Sequence, residues 1–256
     1  MTNIVLETKE LKKIYNEGTE NAFEALHHIT CQVKEGDFVT IMGPSGSGKS
    51  TFINNISTIA MPSGGAVYIG GREVRLMNEE ETGKFRYENL GFIFQDFNLL
   101  DTHTLYENIA MPLSLAHQDP DTIKEKVMML AEQMDIAGLL EKYPNECSGG
   151  QRQRAAICRA LINEPSIVIA DEPTGNLDSA NSSELMKILR KLNRENGTTI
   201  VMVTHDPLIA SYSSRLLYIR DGDIETILER GSMSQDEYFK KITEINSAES
   251  REILQK

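Results

Sequence analysis

Short apolar runs alternate with amphipathic segments along the chain. Two of these runs, residues 166–170 and 198–203, are largely apolar, which is typical of strands that are covered on both faces. Two similar runs occupy residues 38–42 and 90–94. Because strands buried on both faces occur in parallel sheets flanked by helices, the pattern indicates an α/β fold.

Other strands are indicated by turn residues at their ends. Residues 4–15 are predicted as a strand, and the polar residues 16–21 as the loop that follows it. Residues 27–34 are predicted as a second strand. The dipeptides at 70–71 (Gly-Gly) and 221–222 (Asp-Gly) each separate two short strand-like runs. Such dipeptides tolerate the positive φ angles of a two-residue turn, so both segments are predicted hairpins.

Helices are predicted where apolar residues recur every three or four positions. A capping box of Thr122 and Glu125 precedes one amphipathic helix, and a box of Ser234 and Glu237 precedes the last one. A third helix is expected to end at residues 196–197, Asn-Gly. The remaining predicted helices cover residues 51–56, 136–142 and 152–161.

The composition is that of a globular chain that folds without cross-links. Its 256 residues, 40% of them hydrophobic, can bury a core as one two-lobed domain or as two smaller ones. No apolar run is long enough to cross a membrane, and residues 1–7 lack the layout of a signal peptide, so a cytosolic chain is expected. The formal net charge of -12 argues against nucleic acid as a partner.

The cysteines and the paired histidines predict neither a disulfide nor a metal site. Cys31, Cys147 and Cys158 are odd in number and widely spaced, so they are expected to be reduced and mostly buried. His27 and His28 are adjacent in a predicted strand and would face opposite sides, which disfavours a shared metal ion. Both groups are therefore interpreted as structural.

Residues 43–50 match the pattern G-x-x-x-x-G-K-[ST] of a phosphate-binding loop. Its glycines let the backbone turn N–H groups toward an anion, Lys49 would reach the terminal phosphates, and Ser50 would place its hydroxyl on Mg²⁺. A plain Gly/Ser-rich linker is the alternative, but the strand before the loop and the helix from Thr51 favour a nucleotide triphosphate site. The predicted loop residues are Gly43, Pro44, Ser45, Gly46, Ser47, Gly48, Lys49 and Ser50.

Polar side chains follow three of the apolar runs. Asp171 is placed to hold Mg²⁺ through water, and Glu172 to accept a proton from the water that attacks the γ-phosphate. His205 lies at the end of a parallel strand, where a functional role is favoured over a structural one. Gln95 can bind Mg²⁺, hold a water or simply be solvated, and the apolar residues of 104–109 are expected to be exposed and to contact a partner.

A second helix start also has the features of an anion site. Residues 148–151, Ser-Gly-Gly-Gln, open the helix predicted at 152–161. They combine a hydroxyl with bare backbone N–H groups at a helix N-terminus. One chain thus carries two helix starts that can face phosphates.

The phosphate loop, Gln95, the Ser-Gly-Gly-Gln sequence, residues 167–172, residues 176–178 and His205 occur in an order that resembles the ATP-binding subunit of an ABC transporter. The resemblance covers nearly the whole chain. Ser-Gly-Gly-Gln is the most specific part, because many unrelated NTPases share the phosphate loop and the acidic strand but lack this signature.

The resemblance implies a particular architecture within the α/β class. A P-loop NTPase (ABC ATPase) of this kind has a RecA-like, mainly parallel core sheet, an antiparallel β subdomain and an α-helical signature subdomain. The ATP-binding cassette would cover residues 1–230, with the helical subdomain at about 97–160. Residues 231–256 would form a C-terminal helical extension.

The resemblance also implies a mechanism that uses ATP and Mg²⁺. Two copies would close head to tail, and the signature of each would complete the ATP site of the other. Gln95 would sense Mg²⁺ and the membrane partner, His205 would steady the γ-phosphate beside the base Glu172, and Asp178 would link the two sites. ATP-binding residues would be Tyr15, stacked on adenine, and Gly43, Pro44, Ser45, Gly46, Ser47, Gly48, Lys49, Ser50 and Thr51. The signature residues acting in trans would be Ser148, Gly149, Gly150 and Gln151, and Mg²⁺ would be held by Ser50, Gln95 and Asp171.

Within the family, residues 91–101, 170–178 and 202–207 look like the branch of macrolide-efflux, lipoprotein-release and bacitracin-type peptide-resistance transporters, with the last closest. This implies an integral membrane permease as partner, a sensor histidine kinase reached through it, and a location on the inner face of the cell membrane. Cys147 stands where the signature usually opens with leucine, and it is expected to act as a small hydrophobe.

Two other functions were considered. A soluble ABC ATPase of DNA repair, translation or cofactor assembly is disfavoured, because the chain has neither a long coiled-coil insertion nor a second cassette. A non-catalytic nucleotide switch is disfavoured by the presence of Glu172 and His205. The leading hypothesis is an ATPase that powers a permease and removes antimicrobial peptides.

Overall fold

The computed structural model describes residues 3–254, so residues 1, 2, 255 and 256, at the ends of the predicted cassette and extension, lie outside it. Within this range the chain forms ten strands and eight α-helices. The strands are β1 (Ile4–Tyr15), β2 (Phe23–Lys34), β3 (Phe38–Met42), β4 (Gly64–Ile69), β5 (Arg72–Glu73), β6 (Leu90–Phe94), β7 (Ile167–Asp171), β8 (Ile200–Val203), β9 (Arg215–Arg220) and β10 (Asp223–Glu229). The helices are α1 (Lys49–Ile56), α2 (Glu79–Asn89), α3 (Leu105–Leu115), α4 (Pro120–Gln133), α5 (Gly149–Leu161), α6 (Ser179–Asn196), α7 (Pro207–Ala210) and α8 (Gln235–Leu254).

The larger sheet has the strand order β10-β9-β3-β8-β7-β6. All its neighbouring pairs are parallel except β9 with β10. Every residue of β3 and β8 is buried, because helices cover both faces of the sheet. The prediction of a mainly parallel core is confirmed.

The smaller sheet is antiparallel, with the order β2-β1-β4-β5. β1 is a single strand that ends at Tyr15, and a loop follows at residues 16–22, so this prediction is confirmed. Pairing with Phe23 and neighbouring residues of β2 carries β1 as far as Tyr15. Both predicted hairpins are present, since Ile69 pairs with Arg72 and Arg220 pairs with Asp223.

The helices α3, α4 and α5 pack together in the helical part of the chain. Leu105 and Ile109 on α3 are fully buried in a cluster with Val127 and Ile157. The prediction that the apolar residues of 104–109 are exposed is therefore wrong for these two. The missed signal was a capping box of Thr104 with Glu107, which starts α3 and turns its apolar face inward.

Two further helix predictions need correction. The N-cap of α4 is Asp119, whose carboxylate accepts from the Thr122 N–H at 3.1 Å, so Thr122 does not form the predicted box with Glu125. The predicted helix at 136–142 is only a 3₁₀ turn at Ala137–Leu139. The sequence reading missed α2 altogether, because this helix buries only Thr82 and Phe85 and shows little apolar periodicity.

The last helix docks on the core at its N-terminal end. The predicted capping box is confirmed. The Ser234 N–H donates to the Glu237 carboxylate at 2.8 Å, and the Glu237 N–H donates to the Ser234 hydroxyl at 3.2 Å. Tyr238 and Ile242 are buried against Met42 and other residues of the large sheet. No helix in residues 3–254 has the length and apolar character of a membrane span.

The three cysteines are free. Cys31 and Cys158 are buried and Cys147 is partly buried, as predicted. Burial raises the pKa of the Cys158 thiol to about 12, so it stays protonated and unreactive at neutral pH.

Gly91 and Gly83 offer a matched test of the packing between β6 and α5. A Cβ at Gly91 would overlap the carbonyl oxygen of Ala160, so Gly91→Ala is expected to destabilise the fold by roughly 1–3 kcal/mol through overpacking. A Cβ at Gly83, inside α2, meets nothing within 4 Å. Gly83→Ala should therefore stabilise the protein by about 0.5–1 kcal/mol through helix propensity. Urea unfolding of both variants measures the difference, and equal effects would contradict the packing argument.

Candidate functional site

The phosphate loop joins β3 to α1 and depends on glycine at two close approaches. Gly43 has a φ of +153°, and a Cβ there would overlap the carbonyl oxygen of Ile219 on β9. Gly48 has a φ of +102°, and its Cβ would lie 2.7 Å from the carbonyl oxygen of Ala25. Any other residue would push the loop away from these strands.

The interior of the loop fits an anion. The Lys49 ammonium donates to the carbonyl oxygens of Gly43 at 2.9 Å and Pro44 at 2.6 Å, so it spans the loop. Burial lowers the pKa of Lys49, and the charges of Glu172 and Asp171 oppose that shift. α1 starts at Lys49, directly after the loop, so the unpaired N–H groups of its first turn are available to an anion held by the loop.

Aromatic side chains border the loop on the side of the antiparallel sheet. The Tyr15 hydroxyl donates to the Thr51 hydroxyl at 3.5 Å, and the Tyr15 side chain is 39% exposed. Phe23, 59% exposed, pairs directly with Tyr15 across β1 and β2. The sequence reading missed Phe23, although its predicted strand began only four residues later. Ser50 is exposed in the first turn of α1.

Parallel register brings the catalytic candidates to one edge of the sheet. Asp171 at the end of β7 pairs with Phe94 on β6 and with Val203 on β8, so Gln95, Glu172 and His205 all follow from this edge. The Glu172 carboxylate contacts His205 Nδ1 at 3.1 Å. Burial and the neighbouring Glu172 raise the pKa of Asp171, and Lys49 opposes the increase.

Glu172 has an unusual backbone conformation. Its φ of +44° lies in the left-handed region, which is rare for residues other than glycine. Its N–H donates to the Val203 carbonyl at 3.0 Å, which holds the turn in place. Residues held in this region cost free energy, and such residues cluster at functional sites.

Gln95 contacts Asn176 and Gly175, and neither contact was predicted from the sequence. The Asn176 amide donates to the Gln95 carbonyl at 3.1 Å and to the Asp96 carboxylate at 2.7 Å. A Cβ at Gly175 would lie 2.8 Å from the Gln95 side chain. The loop after β6 therefore packs directly on the loop that precedes α6.

The signature residues form the N-terminus of α5. Ser148 is its N-cap, and Ser148 and Gln151 form a capping box with bonds of 2.9 and 3.3 Å. Asp178 caps α6, accepts from the Asn181 backbone N–H at 2.8 Å, and has its pKa lowered by that bond. Cys147 packs against the helical core, and burial raises its pKa.

The phosphate loop and the signature lie in different parts of the chain. No hydrogen bond or ion pair among the described side chains joins residues 43–51 to residues 147–151. The chain thus brings together the loop, Asp171, Glu172 and His205, while Ser148, Gly149, Gly150 and Gln151 form a separate exposed or half-exposed patch.

Helix α5 reaches from the signature back to the rest of the site. Gln153 is buried and donates to the Pro173 carbonyl at 2.8 Å. Arg159 donates to the carbonyl oxygens of Phe97, at 2.8 Å, and of Asn98, two residues with positive φ. The Arg152 guanidinium lies 5.1 Å from the Phe97 ring centroid. These arginines were not identified from the sequence, because Arg residues on a helix are usually solvated.

Comparison with known proteins matches this arrangement to one family. The family model described as "ABC transporter" matches residues 26–175. The chain is 48% identical over 239 residues to the bacitracin export ATP-binding protein BceA of Halalkalibacterium halodurans, covering 93% of this chain and 94% of that one. It is 42% identical to the macrolide export ATP-binding/permease protein MacB of Syntrophobacter fumaroxidans, covering 86% of this chain and 31% of that protein.

A solved structure gives the same result at the level of the fold. The ATP-binding cassette MJ0796, a Methanocaldococcus jannaschii protein, has been solved as a dimer in a post-hydrolysis state with ADP and Pi. It superposes with a TM-score of 0.79 at 38% sequence identity, covering 88% of this chain and 98% of that chain. With the family model, these relatives and the phosphate loop, acidic edge and Ser-Gly-Gly-Gln helix start described above, the chain belongs to the ABC transporter family as an ATP-binding subunit that hydrolyses ATP.

Proposed function

We propose that the chain powers a transporter that exports antimicrobial peptides of the bacitracin type or removes them from their targets. The similarity to a bacitracin export ATP-binding protein over 93% of the chain carries this proposal. Under it, the chain sits on the cytoplasmic face of the membrane, bound to an integral permease. A sensor histidine kinase would be reached through that permease.

The phosphate loop would bind the β- and γ-phosphates of ATP. The N–H groups at the start of α1 and the Lys49 ammonium are available to phosphate oxygens, and Tyr15 offers its ring to adenine at the edge. Lys49 would exchange its two carbonyl partners for phosphate oxygens, which are stronger acceptors because they are charged.

Ser50, Gln95 and Asp171 fit Mg²⁺, because hydroxyl, amide and carboxylate oxygens are the donors that this hard cation prefers. Asp171 ends β7 in register with Phe94, the residue before Gln95, so the parallel sheet supports the Asp171 and Gln95 part of this assignment. Bound Mg²⁺ would neutralise phosphate charge as it develops in the transition state.

Glu172 would act as the general base. Its carboxylate is close enough to interact with the charge of Lys49 and would take the proton from the water that attacks the γ-phosphorus, releasing ADP and phosphate. His205 holds Glu172 through the 3.1 Å contact and would hydrogen-bond the γ-phosphate with its other ring nitrogen.

The signature would act on a second copy of the chain. Residues 148–151 make no described hydrogen bond or ion pair to the phosphate loop of their own chain. Their helix N-terminus is therefore available to the γ-phosphate held by a partner. Asp178, on the loop bonded to Gln95 through Asn176, would connect the two sites of this head-to-tail dimer. The net charge of -12 supports a role without nucleic acid.

The proposed domain division follows the packing. α3, α4 and α5 contact one another, which supports a helical subdomain at about 97–160 inside a cassette of residues 1–230. Residues 231–254 extend from it as α8, whose first turns pack on the large sheet.

Macrolide efflux or lipoprotein release is the second candidate. The 42% identity to a macrolide export protein favours it, and the ATP site would be the same. A soluble ABC ATPase of repair, translation or cofactor assembly fits less well, since neither a long coiled-coil insertion nor a second cassette occurs in the sequence.

Glu172→Gln tests the base. The amide cannot accept the proton, so we expect kcat for ATP hydrolysis to fall by about 10²–10⁴-fold while ATP binding is retained and a dimer accumulates. Phosphate release and size-exclusion chromatography with ATP measure the two effects. Glu88→Gln, on the distant α2, is the charge-matched control, and full hydrolysis by Glu172→Gln would refute the assignment.

Ser148→Arg, added to Glu172→Gln, tests action in trans. An arginine at the N-cap would block the approach of a partner's phosphate, so the double variant should bind ATP but remain monomeric in chromatography. Asn78→Arg in the same background removes the N-cap of the capping box on α2. It costs a similar ~1 kcal/mol of stability and should still dimerise. A dimer that persists with Ser148→Arg would exclude the head-to-tail arrangement.

The transport role can be tested in the host cell. Deleting the gene should lower bacitracin tolerance, and the wild-type chain should restore it. Glu172→Gln should not restore it, because the permease would receive no energy from ATP hydrolysis. Native purification should recover an integral permease with the chain. Lost macrolide tolerance with unchanged bacitracin tolerance would favour the second candidate, and recovery of ribosomes or DNA alone would overturn the transporter role.

A further inference from the structure

One face of α6 concentrates positive charge on a chain whose formal net charge is -12. Lys187, Arg190, Lys191 and Arg194 occupy positions i, i+3, i+4 and i+7, so their side chains leave the helix on the same side. Like charges at this spacing repel each other and weaken a helix. The helix macrodipole compensates cations only in the last turn, which includes Arg194 but not Lys187, Arg190 or Lys191.

Neighbouring carboxylates neutralise little of this charge. Among the side chains that the structure describes, Lys191 alone of the four has a carboxylate within 4.0 Å, from the exposed Glu195 at 3.8 Å. Burial lowers the pKa of Arg190, and the next causes are the positive charges of Arg194 and Arg230, which lower it further. The field around Arg190 is therefore positive.

The four cations line an open groove of about 500 Å³ between α6 and the start of α8. Arg190 Nη1 donates to Gln235 Oε1 at 3.0 Å, and Gln235 Nε2 donates to the Ser211 hydroxyl at 3.0 Å. This chain of bonds holds the guanidinium in place through one of its five N–H donors. The groove is shallow and open to solvent.

We propose that this groove, which we call the α6 groove, binds a small polyanion with several phosphoryl groups. Guanidinium groups bind phosphate through paired N–H bonds, and a row of cations along about 10 Å of helix suits several phosphoryl groups in series. Apart from the Tyr212 ring, its lining side chains are charged or polar. A docked protein segment draws its affinity from buried apolar and aromatic anchors, so the lining favours a small anion.

The α6 groove is separate from the ATP site but adjoins its surroundings. Tyr212 also lines a cavity of about 270 Å³ whose walls include Glu172 and His205. Its hydroxyl contacts the Ser183 hydroxyl at 3.4 Å, near the start of α6. A bound polyanion would therefore rest against the helix that Asp178 caps, and by relieving repulsion along α6 it would stabilise the fold.

Inorganic triphosphate is the probe, titrated by calorimetry into nucleotide-free Lys49→Ala protein, which lacks the lysine that would attract the ion to the phosphate loop. We expect one binding site and a raised melting temperature. Adding Lys187→Gln and Arg194→Gln, both exposed and outside the Gln235 contact, should weaken binding by about tenfold or more.

Lys84→Gln with Lys124→Gln is the matched control, since it removes the same charge from α2 and α4. Equal weakening in the control, or no binding at all, would overturn the proposal. Unchanged affinity in the Lys187→Gln/Arg194→Gln protein would assign the ion to the phosphate loop and would also overturn it. Tighter binding of a hexaglutamate peptide than of triphosphate would replace the small polyanion with an acidic protein segment.

Discussion

The nucleotide site depends on the contact between the phosphate loop and the β9–β10 hairpin. Gly43 can approach Ile219 only because it has no side chain. The Gly222 N–H then donates to the Ser47 carbonyl at 3.1 Å, and the Gly222 carbonyl accepts from the His27 N–H at 2.8 Å. These bonds tie the loop, the parallel sheet and the antiparallel sheet at one junction. The loop is held in its curled form before any phosphate arrives, so binding does not have to order it.

Positive and negative side chains lie close together beside this loop, and each partly offsets the other. Lys49 is partly buried beside Asp171 and Glu172, and each sign moderates the pKa shift that burial alone would cause in the other. The left-handed φ of Glu172 costs of order 1–3 kcal/mol, which its bond to Val203 and its contact with His205 help to offset. The surrounding structure therefore holds the carboxylate in a position that an unstrained strand would not give it.

The features that local chemistry determines were predictable from the sequence. The glycine pattern of residues 43–50, the continuous burial of β3, β7 and β8, and the Ser234–Glu237 box all follow from short-range rules. What the sequence could not supply were contacts between distant segments. Asn176 meets Gln95 only after two loops are brought to one edge, and α2 buries too few apolar residues to show a helical period. The α3 residues Leu105 and Ile109 are covered by Val127 on α4 and Ile157 on α5, contacts that their own segment does not reveal, although the Thr104–Glu107 box does indicate the start of a helix.

Contacts between distant segments also make α5 a connection between the signature and the loop after β6, which contains Phe97 and Asn98. Arg159 holds the carbonyl oxygens of Phe97 and Asn98, and Arg152 lies over the Phe97 ring from the opposite end of the helix. Phe97 and Asn98 both have positive φ. If they move, either their bonds from Arg159 break or α5 moves with them. Since Ser148 caps that helix, displacement of this loop must either break the partly buried hydrogen bonds of Arg159 or move the signature. Breaking them leaves a guanidinium whose pKa burial already lowers without its carbonyl partners, which opposes the loop's moving alone.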